Sequence, residues 1–274
     1  MNSMTPMTPM NRLAAVQMVS TPDVSENIAS AQRLVAQAAS EGATLVSLPE
    51  YWPIFGMHER DKLAHAEQPG AGPIQEAMAE MARAHRVWLI GGTMPLAADE
   101  PGKVRNTLMV YDPQGRVCGR YDKIHLFGFS RGEESYDESR TIVSGGEVQS
   151  VQTDLGRVGL SVCYDLRFPE LYRAMGSVDL IVVPSAFTYT TGQAHWEILL
   201  RARAIENQCY VLAAAQGGRH RNGRRTWGHS MLIDPWGEVS AVLPEGEGIA
   251  IGEYDRGLLE NTRVNLPALK HRVL

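Results

Sequence analysis

Three side chains of complementary chemistry stand at the ends of apolar runs: Glu50 in LVSLPEYW, Lys123 in RYDKIHLF and Cys163 in GLSVCYDLRFPE. A thiol can attack an amide carbon. A carboxylate can take the thiol proton and later pass one to the leaving amine, and an ammonium can hold the oxyanion that develops in between. Brought together, the three can break an amide bond. Each also has a plainer reading: a buried structural thiol, a solvated carboxylate at a strand terminus, and a surface lysine paired with Asp122. Tyr164, Asp165, Arg167 and Glu170 directly follow the cysteine strand. That is more polarity than a structural turn needs, and it favours a working thiol. A helix N-terminus after Cys163 would favour thiolate. Glu138 in YDESR is a fourth candidate, but Glu133, Glu134 and Asp137 share its loop, and spacing does not choose among them.

The elements that must position these groups alternate between strand and helix. Apolar runs predict strands over 13–19, 44–48, 87–90, 108–111, 117–121, 157–162, 180–183 and 209–214. Helical periodicity runs over 25–41 through Ile28, Ala31, Leu34, Val35 and Ala38, with Ser25 as N-cap and Gly42 as the stop. Further helices are predicted over 74–85, from Pro169, and over 195–206. The irregular stretches 51–72 and 126–146 each follow a candidate catalytic residue, where α/β proteins place their sites.

The chain echoes itself. TLVSLPE (44–50) matches DLIVVPS (179–185), RAHRVWLIGG (83–92) matches ENQCYVLAAA (206–215), and YDPQGRV (111–117) matches IDPWGEV (233–239). Ile90 to Leu212 and Asp112 to Asp234 share one offset of 122 residues. The expected fold is therefore α/β, two similar sheet-plus-helix halves packed into one sandwich. Residues 1–11 read as a flexible leader and 12–274 as a single domain.

Composition narrows the function. With 274 residues, 44% hydrophobic content and 21% charged residues, the chain suits one globular α/β domain with a sizeable core. A net charge of −5 gives no general attraction for nucleic acid or anionic membrane. No apolar run reaches a membrane span, and the N-terminus lacks the basic and apolar regions of a secretory signal. Cys118, Cys163 and Cys209 form no CxxC pair and no zinc spacing with histidine, so reduced thiols in a cytoplasmic protein without metal or organic cofactor are expected.

The motifs around Glu50 (LPE), Lys123 (DKIHLF) and Cys163 (GLSVCYDLRFPE) resemble, in order, those of the nitrilase superfamily of carbon–nitrogen hydrolases. Glu138 in YDESRT, followed by Gly145-Gly146, is similar to the family's second glutamate. The resemblance continues through PSAF (184–187), HWE (195–197), RARAIEN (201–207) and GHS (228–230). It implies a four-layer α-β-β-α sandwich, Cys163 as nucleophile, Glu50 as general base, and Lys123 with the Tyr164 N–H as oxyanion donors. It implies Glu138 as the group that orients Lys123 or the amide, release of ammonia from a small carboxylate-bearing amide, and assembly into homodimers or larger homo-oligomers. The run after Pro184 looks most like the branch acting on deaminated glutathione, whereas the loop between Lys123 and Glu138 departs from the mammalian-type members. An ω-amidase acting on α-ketoglutaramate or α-ketosuccinamate, an N-carbamoyl hydrolase, a nitrilase, a silent binding module and a metalloamidase are the competing readings. Tyr164, Arg167, Phe187 and Thr188 are expected to line the substrate pocket. The basic run 219–225 reads either as an attractor for a polyanionic substrate or as a solvated hairpin around Asn222-Gly223.

Overall fold

The computed structural model describes residues 11–132 and 134–273. Residues 1–10 of the expected leader lie outside these, and Asn11 opens the first strand. Strands β1 (Asn11–Gln17), β2 (Ala43–Ser47), β3 (Trp88–Ile90), β4 (Met94–Ala97), β5 (Val104–Tyr111) and β6 (Val117–Asp122) belong to one sheet. A two-stranded ribbon, β7 (Gly128–Arg131) and β8 (Glu134–Asp137), rises from the stretch after Lys123. Strands β9 (Ser150–Thr153), β10 (Gly156–Leu160), β11 (Leu180–Val182), β12 (Tyr210–Ala213), β13 (Ser230–Ile233) and β14 (Val239–Leu243) form the second sheet, and β15 (Gly248–Tyr254) returns to pair with β1. Helices α1 (Val24–Ser40) and α2 (Pro73–His85) follow the first strands. Helices α3 (Pro169–Ala174) and α4 (Tyr189–Asn207) occupy the matching places in the second half, and α5 (Arg256–Asn265) follows β15.

The two sheets repeat one pairing scheme. β15-β1-β2-β3-β5-β6 and β9-β10-β11-β12-β13-β14 both run antiparallel, parallel, parallel, antiparallel, antiparallel. Register is kept as well: Ile90 faces Val110 and Leu89 faces Tyr111, as Leu212 faces Leu232 and Val211 faces Ile233. The 122-residue echo in the sequence is thus the distance between equivalent strand pairs. The Asp-Pro-x-Gly turns are equivalent in detail. Asp112 Oδ1 accepts from the Gln114 and Arg116 N–H groups, as Asp234 Oδ1 does from Trp236 and Glu238.

Parallel strands covered on both faces need apolar residues on both, which is why the strand sequences run nearly unbroken. Leu13, Ala15, Leu45, Ile90 and Leu108 face inward and share one core with Val158, Leu160, Val182 and Leu212 of the other sheet. The alternate residues Ala14, Val16, Val46 and Leu89 pack outward with Leu34 and Val35 of α1 and Met78 and Met81 of α2. Trp196 and Leu200 of α4 and Leu171 of α3 cover the second sheet. The result is the expected sandwich of two similar halves.

Two helix starts differ from expectation. The N-cap of α1 is Asp23, whose carboxylate accepts from the Glu26 N–H, while Ser25 lies inside the helix and donates to Asp23. Both residue types cap well, and the Asp23 N–H is in turn held by Thr21 Oγ1 at 3.2 Å, which fixes Asp23 as the cap. Helix α4 begins at Tyr189 rather than His195, because the Thr188 hydroxyl accepts from the Thr191 N–H and starts the helix earlier. Among the described residues no helix is long and apolar enough to cross a membrane.

Candidate active site

The parallel strands of both sheets deliver their C-terminal ends to one edge of the sandwich. Glu50 follows β2 and Cys163 follows β10, one from each sheet. Both strand ends turn sharply through left-handed backbone at a non-glycine residue, Tyr51 (φ 56) and Cys163 itself (φ 49). Such conformations are costly and persist only where surrounding structure enforces them. Here the Tyr51 N–H is held by Thr93 Oγ1 at 3.0 Å and the Cys163 N–H by the Pro184 carbonyl at 2.9 Å.

Lys123 follows β6 directly, and its carbonyl is held by the Gly145 N–H at 2.8 Å. A side chain at Gly145 would run into the Asp122 carbonyl, so the close approach of this segment to Lys123 requires glycine. Glu138 opens the short 3₁₀ turn after β8. The structure therefore selects Glu138 from the acidic loop by bringing it, alone of the described acids there, to Lys123.

The four side chains meet in the buried interior. Lys123 Nζ lies 2.8 Å from Glu50 Oε1 and 3.0 and 2.8 Å from the two oxygens of Glu138. Lys123 is 0% exposed, Glu50 1% and Glu138 8%, so the plainer readings of a surface lysine and a solvated strand-end carboxylate do not apply. Glu50 also accepts from Asn106 Nδ2 and from the Ala186 N–H, each at 2.9 Å, and the Cys163 thiol lies beside it. Glu138 accepts from the Tyr51 hydroxyl at 2.6 Å and the Phe127 N–H at 2.7 Å. Two carboxylates around one ammonium carry one net negative charge, which the surrounding N–H and O–H donors spread.

These surroundings set the protonation states. Burial pushes the Glu50 carboxyl above its ordinary range, opposed by Lys123, while nearby Glu138 adds to the rise. Burial acts in the same direction on Glu138, but Lys123 and the hydrogen bonds outweigh it and hold that carboxyl low. Burial alone would pull the Lys123 ammonium down; Glu138 and Glu50 outweigh it and hold it well above the ordinary lysine value. Burial, then the Glu50 carboxylate, push the Cys163 thiol well above its ordinary value. The expectation of a thiolate favoured by a helix N-terminus is therefore corrected. The turn after Cys163 is a short 3₁₀ segment, and desolvation with an adjacent carboxylate dominates. Cys163 therefore rests as the thiol beside Glu50.

Asp165, which sequence reasoning noted without a role, ties the site together. Its Oδ2 accepts from the Tyr121 hydroxyl and the Val162 N–H, both at 2.8 Å, and its Oδ1 from the His125 N–H at 3.0 Å. The lysine strand and the cysteine turn are thus fastened to one buried carboxylate. Asn106 and Tyr51 were not singled out from the sequence. A polar Asn106 inside the buried strand β5 was the available signal; Tyr51 next to Glu50 carried none.

The expected substrate residues line a narrow slot over Cys163. Tyr164, Arg167, Phe187 and Thr188 surround it with Phe127 and Thr191. The Arg167 guanidinium lies over the Tyr164 and Phe187 rings, 5.7 and 5.4 Å from their centres, with Nη1 3.2 Å from His195 Nδ1. It has no carboxylate partner among the described residues. The Thr188 hydroxyl is engaged in capping α4.

This fold and this site define a class. The sequence matches the carbon-nitrogen hydrolase family model over residues 12–264, and the chain belongs to that family: it is a hydrolase of the amidase type. It is 42% identical over 266 residues to a Synechocystis protein named deaminated glutathione amidase, covering 95% of this chain and 97% of that one. The human protein of the same name is 40% identical over 267 residues, covering 95% of this chain and 81% of that one. Saccharomyces cerevisiae Nit3, of branch 10 of the nitrilase superfamily, shares the fold with a TM-score of 0.86. It is 29% identical, with coverage of 96% of this chain and 97% of that one.

Proposed function

We propose that this chain hydrolyses deaminated glutathione through a thioester on Cys163. The observation that carries the reading is the buried contact of Lys123 with both Glu50 and Glu138, next to a thiol whose titration Glu50 influences directly. Cys163 Sγ attacks the amide carbon while its proton passes to Glu50. Lys123 and the Tyr164 N–H hold the oxyanion. Collapse transfers the proton from Glu50 to the leaving nitrogen, and the thioester forms. Glu50 then takes a proton from water, whose oxygen attacks the thioester and frees the acid and the thiol. Glu138 keeps Lys123 charged and in place throughout.

Ammonia leaves only when the substrate is a primary amide. In deaminated glutathione the cleaved amide nitrogen belongs to cysteinylglycine, so the leaving group is that dipeptide and the acyl part departs as 2-oxoglutarate. Arg167, unpaired by carboxylate and flanked by Tyr164 and Phe187, suits the carboxylate of the oxo-acid arm, and Thr188 closes the slot beside it. The names of the relatives support this substrate over the ω-amidase reading.

Comparing kcat/KM for deaminated glutathione, α-ketoglutaramate and a nitrile tests the substrate. The tripeptide derivative is expected to lead; a preference for α-ketoglutaramate would overturn the assignment in favour of an ω-amidase. We further place the enzyme in the cytoplasm as a homodimer. Its described cysteines are free thiols, and Ile198 and Ile205 lie seven residues apart on an exposed face of α4. Sedimentation of a monomer at micromolar concentration would contradict the dimer.

A further inference from the structure

The basic run 219–225 divides residue by residue. Arg221 turns out to a surface pair with Glu26 and Arg225 to one with Glu245. Arg224 turns the other way, into a cleft of about 340 Å³ that opens beside the catalytic centre. Tyr51, Phe55, Lys62, Tyr136 and Asn222 line it with Arg224. The Arg224 guanidinium lies over the Phe55 and Tyr136 rings at 5.0 and 4.6 Å from their centres, and Lys62 Nζ lies 5.3 Å from the centre of Tyr51. Glu59 bonds both cations, at 3.1 Å to Lys62 and 3.2 Å to Arg224. Among the described lining residues this leaves one positive charge in excess.

Two residues join this cleft to the site already described. Tyr51 lines the cleft with its ring and donates its hydroxyl to Glu138, which holds Lys123. Tyr136 lines it as well, and its ring centre is 5.7 Å from that of Phe127, which walls the Cys163 slot. Lys62 thus lies over the same tyrosine whose hydroxyl reaches the Glu138–Lys123 pair.

We propose that the Lys62–Arg224 cleft is the leaving-group subsite, and that it binds the terminal carboxylate of a dipeptide departing as the amine. The assignment rests on the proposed function and deepens it: Arg167 takes the oxo-acid end of the substrate, and Lys62 with Arg224 takes the peptide end. An arginine already packed on two aromatic rings and bonded to Glu59 meets a carboxylate with less ordering left to do. Asn222 Nδ2 is already engaged with the Gly56 carbonyl at 2.7 Å, so it fixes the loop and leaves recognition to the two cations.

The test compares deaminated glutathione with its C-terminal carboxamide, in wild type and in Arg224→Gln, with α-ketoglutaramate as a substrate lacking the dipeptide. Wild type is expected to prefer the acid over the carboxamide about tenfold in kcat/KM, expressed in KM, the size of one partly buried charge-assisted contact. In Arg224→Gln that preference is expected to fall to near unity, and in Lys62→Gln to fall partway. A wild type indifferent to the carboxamide, or an Arg224→Gln that keeps the tenfold preference, overturns the subsite while leaving the proposed function standing. A wild type that turns over α-ketoglutaramate but neither tripeptide derivative overturns both.

Discussion

The Tyr121 hydroxyl donates to Asp165 Oδ2 at 2.8 Å, and this contact spans the two halves of the sandwich. Tyr121 precedes Lys123 by two residues and Asp165 follows Cys163 by two, so one hydrogen bond sets the proposed oxyanion lysine relative to the proposed nucleophile. Tyr121→Phe keeps the ring and removes the donor. It is expected to cost about 1–2 kcal/mol of stability, with a loss in kcat larger than any change in KM. Denaturant unfolding together with steady-state kinetics checks the split; an unchanged kcat would show that Asp165 holds the turn without Tyr121.

Removing the ammonium at the centre exposes what it balances. Lys123→Met leaves Glu50 and Glu138 buried without a cation, at a cost of about 3–5 kcal/mol at neutral pH. Loss of the oxyanion donor should lower kcat by about 10²–10³. Without the lysine both carboxyls titrate higher, so the variant recovers stability relative to wild type as pH falls and they protonate. Unfolding free energies measured from pH 7 to pH 5 would show the gap narrowing; a constant gap would contradict the balance described.

The thiol and its base make a separate prediction. Because burial and Glu50 hold the Cys163 thiol well above its ordinary value, the free enzyme should show no thiolate absorbance at pH 7. Its alkylation by a neutral reagent should rise only in alkaline solution. Activity at neutral pH then depends on Glu50 as base, and Glu50→Gln should lower kcat by about 10²–10⁴. A thiol that titrates near neutrality would place the enzyme with cysteine hydrolases that carry a preformed thiolate.

Acid sensitivity has an identifiable source outside the site. Burial lowers His220 from 6.5 to about 4; its ring stacks on Phe55 and its nitrogens lie 2.9 Å from the Ser20 carbonyl and from Thr226 Oγ1. The folded pKa lies below the unfolded one, so the stability is whole above 6.5, declines as pH falls from there, and is lost once pH passes about 4. The difference corresponds to roughly 3 kcal/mol. His220→Gln should flatten the dependence of unfolding free energy on pH between 7 and 4, even if it lowers stability overall.

Much of this was legible in the sequence, and the reason is geometric. Parallel strands buried on both faces must be apolar throughout, so a polar or ionisable residue at such a strand's end marks the site edge, as Glu50 and Cys163 do. The 122-residue echo was legible because equivalent strand pairs keep their register. The strand β15 and the helix α5 left no comparable signal, and the ribbon β7–β8 read as irregular because its residues face solvent along most of their length. The start of α4 was obscured by Gly192, which helices disfavour and which sits there because Trp227 packs against it. Spacing could not tell Glu138 from its acidic neighbours, since only the fold brings it to Lys123; the family resemblance alone singled it out. Asp165 was visible as a polar residue after a buried strand, but its three-way bonding depends on contacts across the two halves.

The claim at the centre is that Cys163 carries the acyl group. Enzyme quenched in acid during turnover of deaminated glutathione, then digested and weighed by mass spectrometry, tests it most directly. A 2-oxoglutaryl adduct on the peptide containing Cys163, absent in an inactive Cys163→Ala, is the predicted result. Continued turnover by Cys163→Ala, with no adduct on the wild-type peptide, would contradict the account.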